Sequence, residues 1–199
     1  MKKRIAGMDT VGVESPEKPL QSGDMPTATV LTVSDSCSKG AREDLSGPAV
    51  ATLLRSHGFA VDGCGVLPDE QAPIEEWLKS ACGKAALVVT TGGTGLAPRD
   101  VTPEATRNVC DRLVDGISER MRSEGLRQTP FAPLSRALCG TRGTSLILNL
   151  PGSPRGAVQS LEVVLPILSH ALALLSGAYG QHSEGETGST LKNKELERP

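Results

Sequence analysis

Residues 85–103 read AALVVTTGGTGLAPRDVTP, and they carry the strongest indication of the fold class. It begins with an apolar, β-branched run at residues 85–91, which predicts a buried strand. Glycines at positions 92, 93 and 95 then predict a tight turn. Thr102 and Pro103 predict the start of a helix, with Thr102 as its N-cap and Pro103 in the first turn. A strand, a glycine turn and a helix in succession are typical of an α/β protein.

The same alternation continues on both sides of this stretch. Further strands are predicted at residues 27–34, 61–67 and 144–150. Helices are predicted to begin at Ser46, to span residues 72–82, and to run from Ser153 to about Leu175. Strands that are apolar on both faces and alternate with helices predict a three-layer αβα architecture with a mostly parallel central sheet.

The length of 199 residues fits one domain with tails. Residues 1–26 and 181–199 are polar, rich in glycine or proline, and without a hydrophobic period, so both are expected to be flexible tails. The folded domain is expected to cover residues 27–180.

Composition excludes several classes of protein. Aromatic residues make up 2% of the chain, which is too few to stack the bases of a single-stranded nucleic acid. The net charge of −2 gives no basic field for a phosphate backbone. Five cysteines lie far apart with no Cys-x-x-Cys pair, which argues against a zinc ribbon or a thioredoxin motif. We therefore expect a folded protein that acts on a small molecule and binds no nucleic acid.

The compartment is predicted from targeting signals. The basic N-terminus is not followed by an apolar run, so no signal peptide is expected. No stretch is expected to be long enough for a membrane span. A cytoplasmic protein without a membrane partner is the prediction.

Four predicted strands are followed by loops that carry chemistry. In a parallel sheet these loops meet at the carboxyl edge, where ligands bind. The loops begin at Ser34, Leu67, Thr91 and Pro151, and they combine carboxylates, hydroxyls and glycines. This convergence predicts a site at that edge.

The glycine turn has two interpretations. Its backbone amides could cradle a phosphate, aided by the positive end of the helix near Thr102. It could also be only a tight connection. It does not satisfy the dinucleotide pattern, since Pro98 stands where the third glycine belongs, and no Walker lysine follows it.

Three aspartates follow strands at the same edge, namely Asp35, Asp69 and Asp100. One or two carboxylates with phosphate oxygens are the usual ligands of Mg²⁺ in phosphoryl transfer. Each aspartate alone could instead cap a helix or form a turn. All three acting as caps at one edge is the less favoured interpretation.

Residues 88–106 resemble the signature of the MogA/MoaB family, which also includes the adenylylating domain of gephyrin and a domain of CinA. Three further blocks are similar to that family: residues 33–35 through 44–47, residues 68–70, and residues 149–154. The resemblance covers about residues 28–178, with no departure at a motif position.

The resemblance implies a reaction in which molybdopterin and Mg-ATP give adenylyl-molybdopterin and pyrophosphate. It implies Asp69 and Asp100 as catalytic carboxylates that organise Mg²⁺, and it implies a homotrimer. Other proteins of molybdenum cofactor biosynthesis are further expected partners. The residues expected to bind phosphate, pterin or nucleotide are Ser34, Asp35, Thr91, Gly92, Gly93, Thr94, Gly95, Ser135, Arg136, Pro151, Gly152, Ser153 and Pro154.

Two alternatives stay open beside the adenylyltransferase. One is a MoaB-like protein that binds pterin without turnover. The other is a nicotinamide oxidoreductase, which the failed glycine pattern disfavours.

Overall fold

The computed structural model describes residues 25–177, so the predicted tails lie outside it except for Met25 and Pro26. Within this range the strands are β1 (Thr27–Val33), β2 (Ala60–Leu67), β3 (Leu87–Thr91), β4 (Arg112–Leu113), β5 (Cys139–Arg142) and β6 (Ser145–Leu150). The helices are α1 (Asp35–Ser38), α2 (Ser46–Ser56), α3 (Gln71–Ala81), α4 (Thr102–Val109), α5 (Asp115–Gly125) and α6 (Pro154–Leu175), with a 3₁₀ turn at Ala132–Leu134.

The strands form one sheet in the order β2-β1-β3-β6-β5-β4. The first four strands of this order are parallel to one another, while β5 is antiparallel to β6 and β4 is antiparallel to β5. The prediction of a mostly parallel α/β sheet is confirmed. The parallel strands bring the carboxyl ends of β1, β2, β3 and β6 to one edge.

Two apolar cores cover the two faces of the sheet. Helices α2, α5 and α6 pack on one face, where Leu54 and Leu161 are fully buried. Helices α3 and α4 pack on the other face, around Ile74 and Ala105. Because β3 and β6 are buried along their whole length, both of their faces carry apolar residues. The three-layer αβα prediction is confirmed.

Helix α5 and the antiparallel strands β4 and β5 are absent from the sequence prediction. Helix α5 reads DGISERMRSEG, and Ile117, Ser118 and Met121 are its buried residues, so its apolar period is too thin to detect. Strand β5 reads CGTR and has no alternating pattern. Tertiary pairing with β6 stabilises this strand where its own sequence does not.

Helix α6 corrects the expectation about membrane length. Its 22 residues are long and apolar enough to cross a membrane by length and composition, which the sequence prediction missed. One face of the helix nevertheless belongs to the core, where Leu161, Val164 and Leu168 are fully buried. Ser153 caps the helix as predicted, because its hydroxyl accepts a hydrogen bond from the Gly156 N–H at 3.2 Å.

Candidate active site

A cleft of about 530 Å³ opens at the carboxyl edge of the parallel strands. It lies where the sequence predicted a site, between the loops that follow β1, β2, β3 and β6. Its lining residues are Thr32, Val33, Ser34, Cys37, Arg42, Glu43, Asp44, Leu45, Ser46, Asp69, Thr91, Gly92, Gly93, Asp100, Gly152, Ser153 and Pro154.

The cleft unites both predicted catalytic carboxylates with part of the predicted substrate-binding set. The predicted residues that line it are Ser34, Asp69, Thr91, Gly92, Gly93, Asp100, Gly152, Ser153 and Pro154. Ser135 and Pro151 line a second, neighbouring pocket instead. Four predicted residues line neither: Asp35, Thr94, Gly95 and Arg136.

Asp35 and Asp69 hold their two loops together by reciprocal hydrogen bonds. The Asp35 N–H donates to Asp69 Oδ2 at 2.7 Å, and the Asp69 N–H donates to Asp35 Oδ1 at 3.2 Å. The loop after β1 is therefore tied to the loop after β2. Asp69 does not cap the helix beyond it, because Glu70 occupies that position and makes no side-chain cap bond.

Asp35 is also paired with Arg99 across the edge of the sheet. The guanidinium donates from Nε to Asp35 Oδ2 at 3.0 Å and from Nη2 to Asp35 Oδ1 at 2.8 Å. This side-chain hydrogen bonding from Arg99 lowers the pKa of Asp35. Both carboxylate oxygens are thus occupied within the described chain, so Asp35 joins the loops around it, and its substrate-binding role stays a prediction.

Asp69 lies in a different electrostatic environment. Burial raises the pKa of its carboxyl, and the nearby negative charges of Asp35 and Asp100 add to that rise. Its Oδ2 accepts the Asp35 N–H, while its Oδ1 has no hydrogen-bond partner within residues 25–177. An approaching cation would relieve this unfavourable charge.

Asp100 closes the loop that follows the glycine turn. Its Oδ2 accepts a hydrogen bond from the Ala97 N–H at 2.8 Å, and its own N–H donates to the Ala97 carbonyl at 2.9 Å. Its Oδ1 has no partner among the described residues. Asp69 and Asp100 therefore each keep one unbonded carboxylate oxygen at the same cleft.

The glycines of the turn leave room for the Asp69 and Asp100 carboxylates and for the Thr102 hydroxyl. Gly92 and Gly93 have φ angles of +91° and +61°, which L side chains rarely adopt. A Cβ atom at Gly93 would lie 2.3 Å from Thr102 Oγ1 and 3.1 Å from Asp69 Oδ1. At Gly95 a Cβ atom would lie 2.9 Å from Asp100 Oδ2. Backbone conformation and packing thus account for glycine at positions 92 and 93 without a ligand, and the phosphate-cradle interpretation stays a prediction.

Thr102 has a role different from the predicted N-cap. Val101 occupies the cap position, and Thr102 is the first residue of α4. The Thr102 hydroxyl donates instead to the Gly92 carbonyl at 2.9 Å, and its N–H donates to the Gly93 carbonyl at 3.1 Å. The cap prediction was wrong because the helix already includes Thr102, whose hydroxyl and N–H are both bonded to carbonyls of the glycine turn.

Arg136 clamps the loop between the turn and α4. Its Nε donates to the Gly95 carbonyl at 2.7 Å, and its terminal nitrogens donate to the Asp100 carbonyl and to the Glu104 carboxylate. The Arg136 N–H adds a bond to the Thr94 carbonyl at 2.9 Å. Arg136 therefore positions Asp100, and its substrate-binding role stays a prediction.

A polar network at the cleft floor was missed by the sequence reasoning. The Asp44 carboxylate accepts hydrogen bonds from the Thr32 hydroxyl at 2.7 Å and from the N–H groups of Ser46 and Gly47, both at 3.0 Å. The Ser46 hydroxyl also lies 2.9 Å from Thr91 Oγ1. Two signals were available. Residues 44–47 belong to a block that resembles the MogA/MoaB family, and an acidic residue just before a predicted helix is an ordinary capping pattern.

The second pocket has a volume of about 230 Å³ and adjoins the cleft through Ser153. Its walls come from α5, the 3₁₀ turn and α6, and they include Met121, Phe131 and Val163. Ser118, another wall residue, has a buried hydroxyl without a hydrogen-bond partner in the described chain. The pocket offers an apolar enclosure beside a polar cleft.

Within residues 25–177 no group of three or more His, Cys, Asp or Glu side chains has the arrangement of a metal site. Asp69 and Asp100 both line the cleft, and each has a carboxylate oxygen without a hydrogen-bond partner in the described chain. Such a donor pair fits Mg²⁺ bound largely by waters and substrate phosphates.

The fold and the cleft define an α/β protein with a candidate site at the carboxyl edge of a mostly parallel sheet. Residues 29–170 match the family described as probable molybdopterin binding domain. The chain is 43% identical to a molybdopterin adenylyltransferase of Helicobacter pylori strain J99 over 162 residues, covering 78% of this chain and 90% of that protein. It is 39% identical to gephyrin of Dictyostelium discoideum, where the match covers 74% of this chain and 22% of that protein.

Solved structures agree with these matches. The molybdopterin biosynthesis enzyme MoaB of Thermus thermophilus is 50% identical with a TM-score of 0.73, over 77% of this chain and 98% of that one. The chain therefore belongs to the probable molybdopterin binding domain family, and its resemblance to MogA/MoaB proteins is confirmed.

Proposed function

We propose that this protein is a molybdopterin adenylyltransferase, which transfers the adenylyl group of ATP to molybdopterin and releases pyrophosphate. One observation carries the proposal: Asp69 and Asp100 meet at one cleft, each with a free carboxylate oxygen. The 43% identity to a protein named for this activity supports it over most of both chains.

The reaction suits a site without a general base. A terminal phosphate oxygen of molybdopterin forms a bond to the α-phosphorus of ATP, and the bond between that phosphorus and the oxygen that bridges to the β-phosphorus breaks. Pyrophosphate leaves with the electron pair. Because the attacking phosphate is already ionised near neutral pH, catalysis requires alignment and charge neutralisation.

The residues of the cleft divide this work. Asp69 and Asp100 would hold Mg²⁺, which when bound neutralises phosphate charge during the transfer. Arg136 and Thr102 fix the loop that carries Asp100 and the glycine turn. Asp35 and Arg99 fix the loop that carries Asp69. The phosphates would lie in the cleft over Gly92 and Gly93.

The second pocket would hold a ring system of one substrate. Its volume of about 230 Å³ and its apolar walls suit a flat heterocycle, and Ser153 connects it to the cleft. Ser135 and Pro151 would then contact that ring, in agreement with their predicted substrate-binding roles. A competition experiment between molybdopterin and ATP tests which ring, pterin or adenine, binds in this pocket.

A trimer remains part of the proposal. Leu96 and Leu134 are large apolar side chains that are more than half exposed in the single chain and line neither pocket. Their exposure supports burial by another copy. A cytoplasmic location and contacts with other cofactor-assembly proteins likewise stay predictions.

The test separates an enzyme from a protein that only binds pterin. Asp100→Asn should reduce pyrophosphate release by about 100-fold or more, since it removes one charge from the cation site, while molybdopterin binding stays within a few-fold of normal. Asp62→Asn is the matched control, because Asp62 is exposed on β2 and lines neither pocket. Binding without turnover in the unmodified protein would favour the binding-only alternative.

A further inference from the structure

The cleft is acidic for a site that takes polyphosphate. Among the residues that line it, the carboxylates are Glu43, Asp44, Asp69 and Asp100, and the sole cationic side chain is Arg42. A triphosphate chain entering such a cleft is repelled unless cations accompany it. One Mg²⁺ at Asp69 and Asp100 offsets only part of that charge.

Two other arginines near the cleft are already engaged. Arg99 forms two hydrogen bonds with the Asp35 carboxylate, at 3.0 and 2.8 Å. Arg136 is bound to the Gly95 and Asp100 carbonyls and to Glu104. Neither arginine lines the cleft. A substrate phosphate would have to break existing bonds to recruit either one.

Arg42 combines a fixed backbone with a free side chain. Its N–H donates to the Ser36 carbonyl at 3.1 Å, and the neighbouring Ala41 N–H donates to the same carbonyl at 2.9 Å. The Arg42 side chain is exposed and makes no ion pair or hydrogen bond with any residue between 25 and 177. Asp44 does not compete for it, because the Asp44 carboxylate is occupied by Thr32, Ser46 and Gly47.

We propose that Arg42 binds the phosphates of ATP that leave as pyrophosphate. A guanidinium matches phosphate oxygens with two parallel hydrogen bonds, and a charge-assisted contact of this kind is stronger than a neutral one. This assignment rests on the proposed adenylyl transfer, in which a pyrophosphate group must be bound and released. Arg42, which lies on the loop between α1 and α2, is a substrate-binding residue in this proposal.

The experiment compares Arg42→Gln and Arg42→Lys with Arg107→Gln. Arg107 is an exposed arginine on α4 that lines neither pocket, so its variant is the matched control. The KM for Mg-ATP should rise roughly 10- to 100-fold in Arg42→Gln and less in Arg42→Lys, which retains the charge but not the paired donors. The KM for molybdopterin should stay within about two-fold, because Arg42 acts on the nucleotide phosphates.

Calorimetric titration with Mg-pyrophosphate supplies a readout that does not need turnover. Affinity should fall by the same order in Arg42→Gln and stay normal in Arg107→Gln. Equal pyrophosphate affinity in the two glutamine variants overturns the assignment, even if the unmodified enzyme is active. An inactive unmodified protein that still loses pyrophosphate affinity in Arg42→Gln would refute the transferase proposal and leave the phosphate contact supported.

Discussion

Replacing Gly93 by alanine tests why the turn contains glycine. Its φ of +61° is unfavourable for alanine, and the added Cβ would lie 2.3 Å from Thr102 Oγ1. Thr102 would have to withdraw its hydroxyl from the Gly92 carbonyl, to which it donates at 2.9 Å. The substitution therefore combines backbone strain, a steric clash and the loss of a buried hydrogen bond.

The expected cost follows from these three effects. Left-handed backbone in an L residue costs roughly 1–2 kcal/mol. Loss of the hydrogen bond adds about 0.5–1.5 kcal/mol, and overpacking adds about 1–3 kcal/mol. Alanine also restricts the unfolded chain, and this effect offsets about 0.4–1 kcal/mol of the loss. Gly93→Ala should thus lower the free energy of unfolding by about 1.5–6 kcal/mol, and Tm by roughly 3–24 °C at about 2–4 °C per kcal/mol.

Gly58→Ala is the matched control for strain. Gly58 also has a positive φ, +81°, but a Cβ there would meet nothing within 4 Å. It should cost only about 1 kcal/mol. Urea denaturation of both variants measures the difference, and Thr102→Ala should rescue part of the Gly93→Ala loss. Equal destabilisation by the two alanines, without rescue, would refute the packing explanation and favour a role confined to ligand binding.

Three further predictions concern single side chains. Ser118→Ala should raise the free energy of unfolding by about 0.5–2 kcal/mol, because it removes a buried hydroxyl without a partner and favours the helix; a clear loss of stability in urea would contradict this. Arg136→Lys should reduce turnover as much as Arg136→Gln, because one ammonium cannot replace the guanidinium that joins Gly95, Asp100 and Glu104, so normal kcat in the lysine variant would exclude the clamp. Burial raises the pKa of the Cys139 thiol to about 12, which suppresses the thiolate near neutral pH; iodoacetamide should therefore modify Cys139 only after unfolding, and rapid labelling of the native protein would show otherwise.

The parallel half of the fold could be predicted from the sequence because its signals are strong. Strands β3 and β6 are buried along their whole length, and most of their residues are apolar or β-branched. Ser153 and Pro154 mark the start of α6 by ordinary capping chemistry. The edge formed by β4 and β5 could not be predicted, since these short strands depend on pairing with β6 rather than on their own residues.

The location of the candidate site could be predicted from the sequence, but the contacts of its individual residues could not. The positions of Asp69, Asp100 and the glycine turn follow from the rule that loops meet at the carboxyl edge. The engagement of Asp35 by Arg99 depends on residues 64 positions apart, so no local pattern could reveal it. The same is true of the Arg136 side chain, whose partners lie 32 to 41 positions away.

The clamp residues also explain why predicted substrate contacts and structural contacts were difficult to separate. Thr94 and Gly95 belong to the same signature as the cleft residues, yet their carbonyls accept bonds from Arg136. Asp44 is the opposite case. It was not predicted as a site residue, because an acidic residue before a helix is ordinarily a cap, yet it lines the cleft. Sequence patterns identify the loops, while long-range hydrogen bonds decide which side chains remain free for a ligand.

Pyrophosphate release by the unmodified protein, measured together with adenylyl-molybdopterin, tests adenylyl transfer most directly. With ATP, Mg²⁺ and molybdopterin all present, one pyrophosphate should form for each adenylyl-molybdopterin, and omission of any one of the three should stop both products. Tight molybdopterin binding without either product, in protein that is folded and supplied with Mg-ATP, would contradict the transferase and leave a pterin-binding protein in its place.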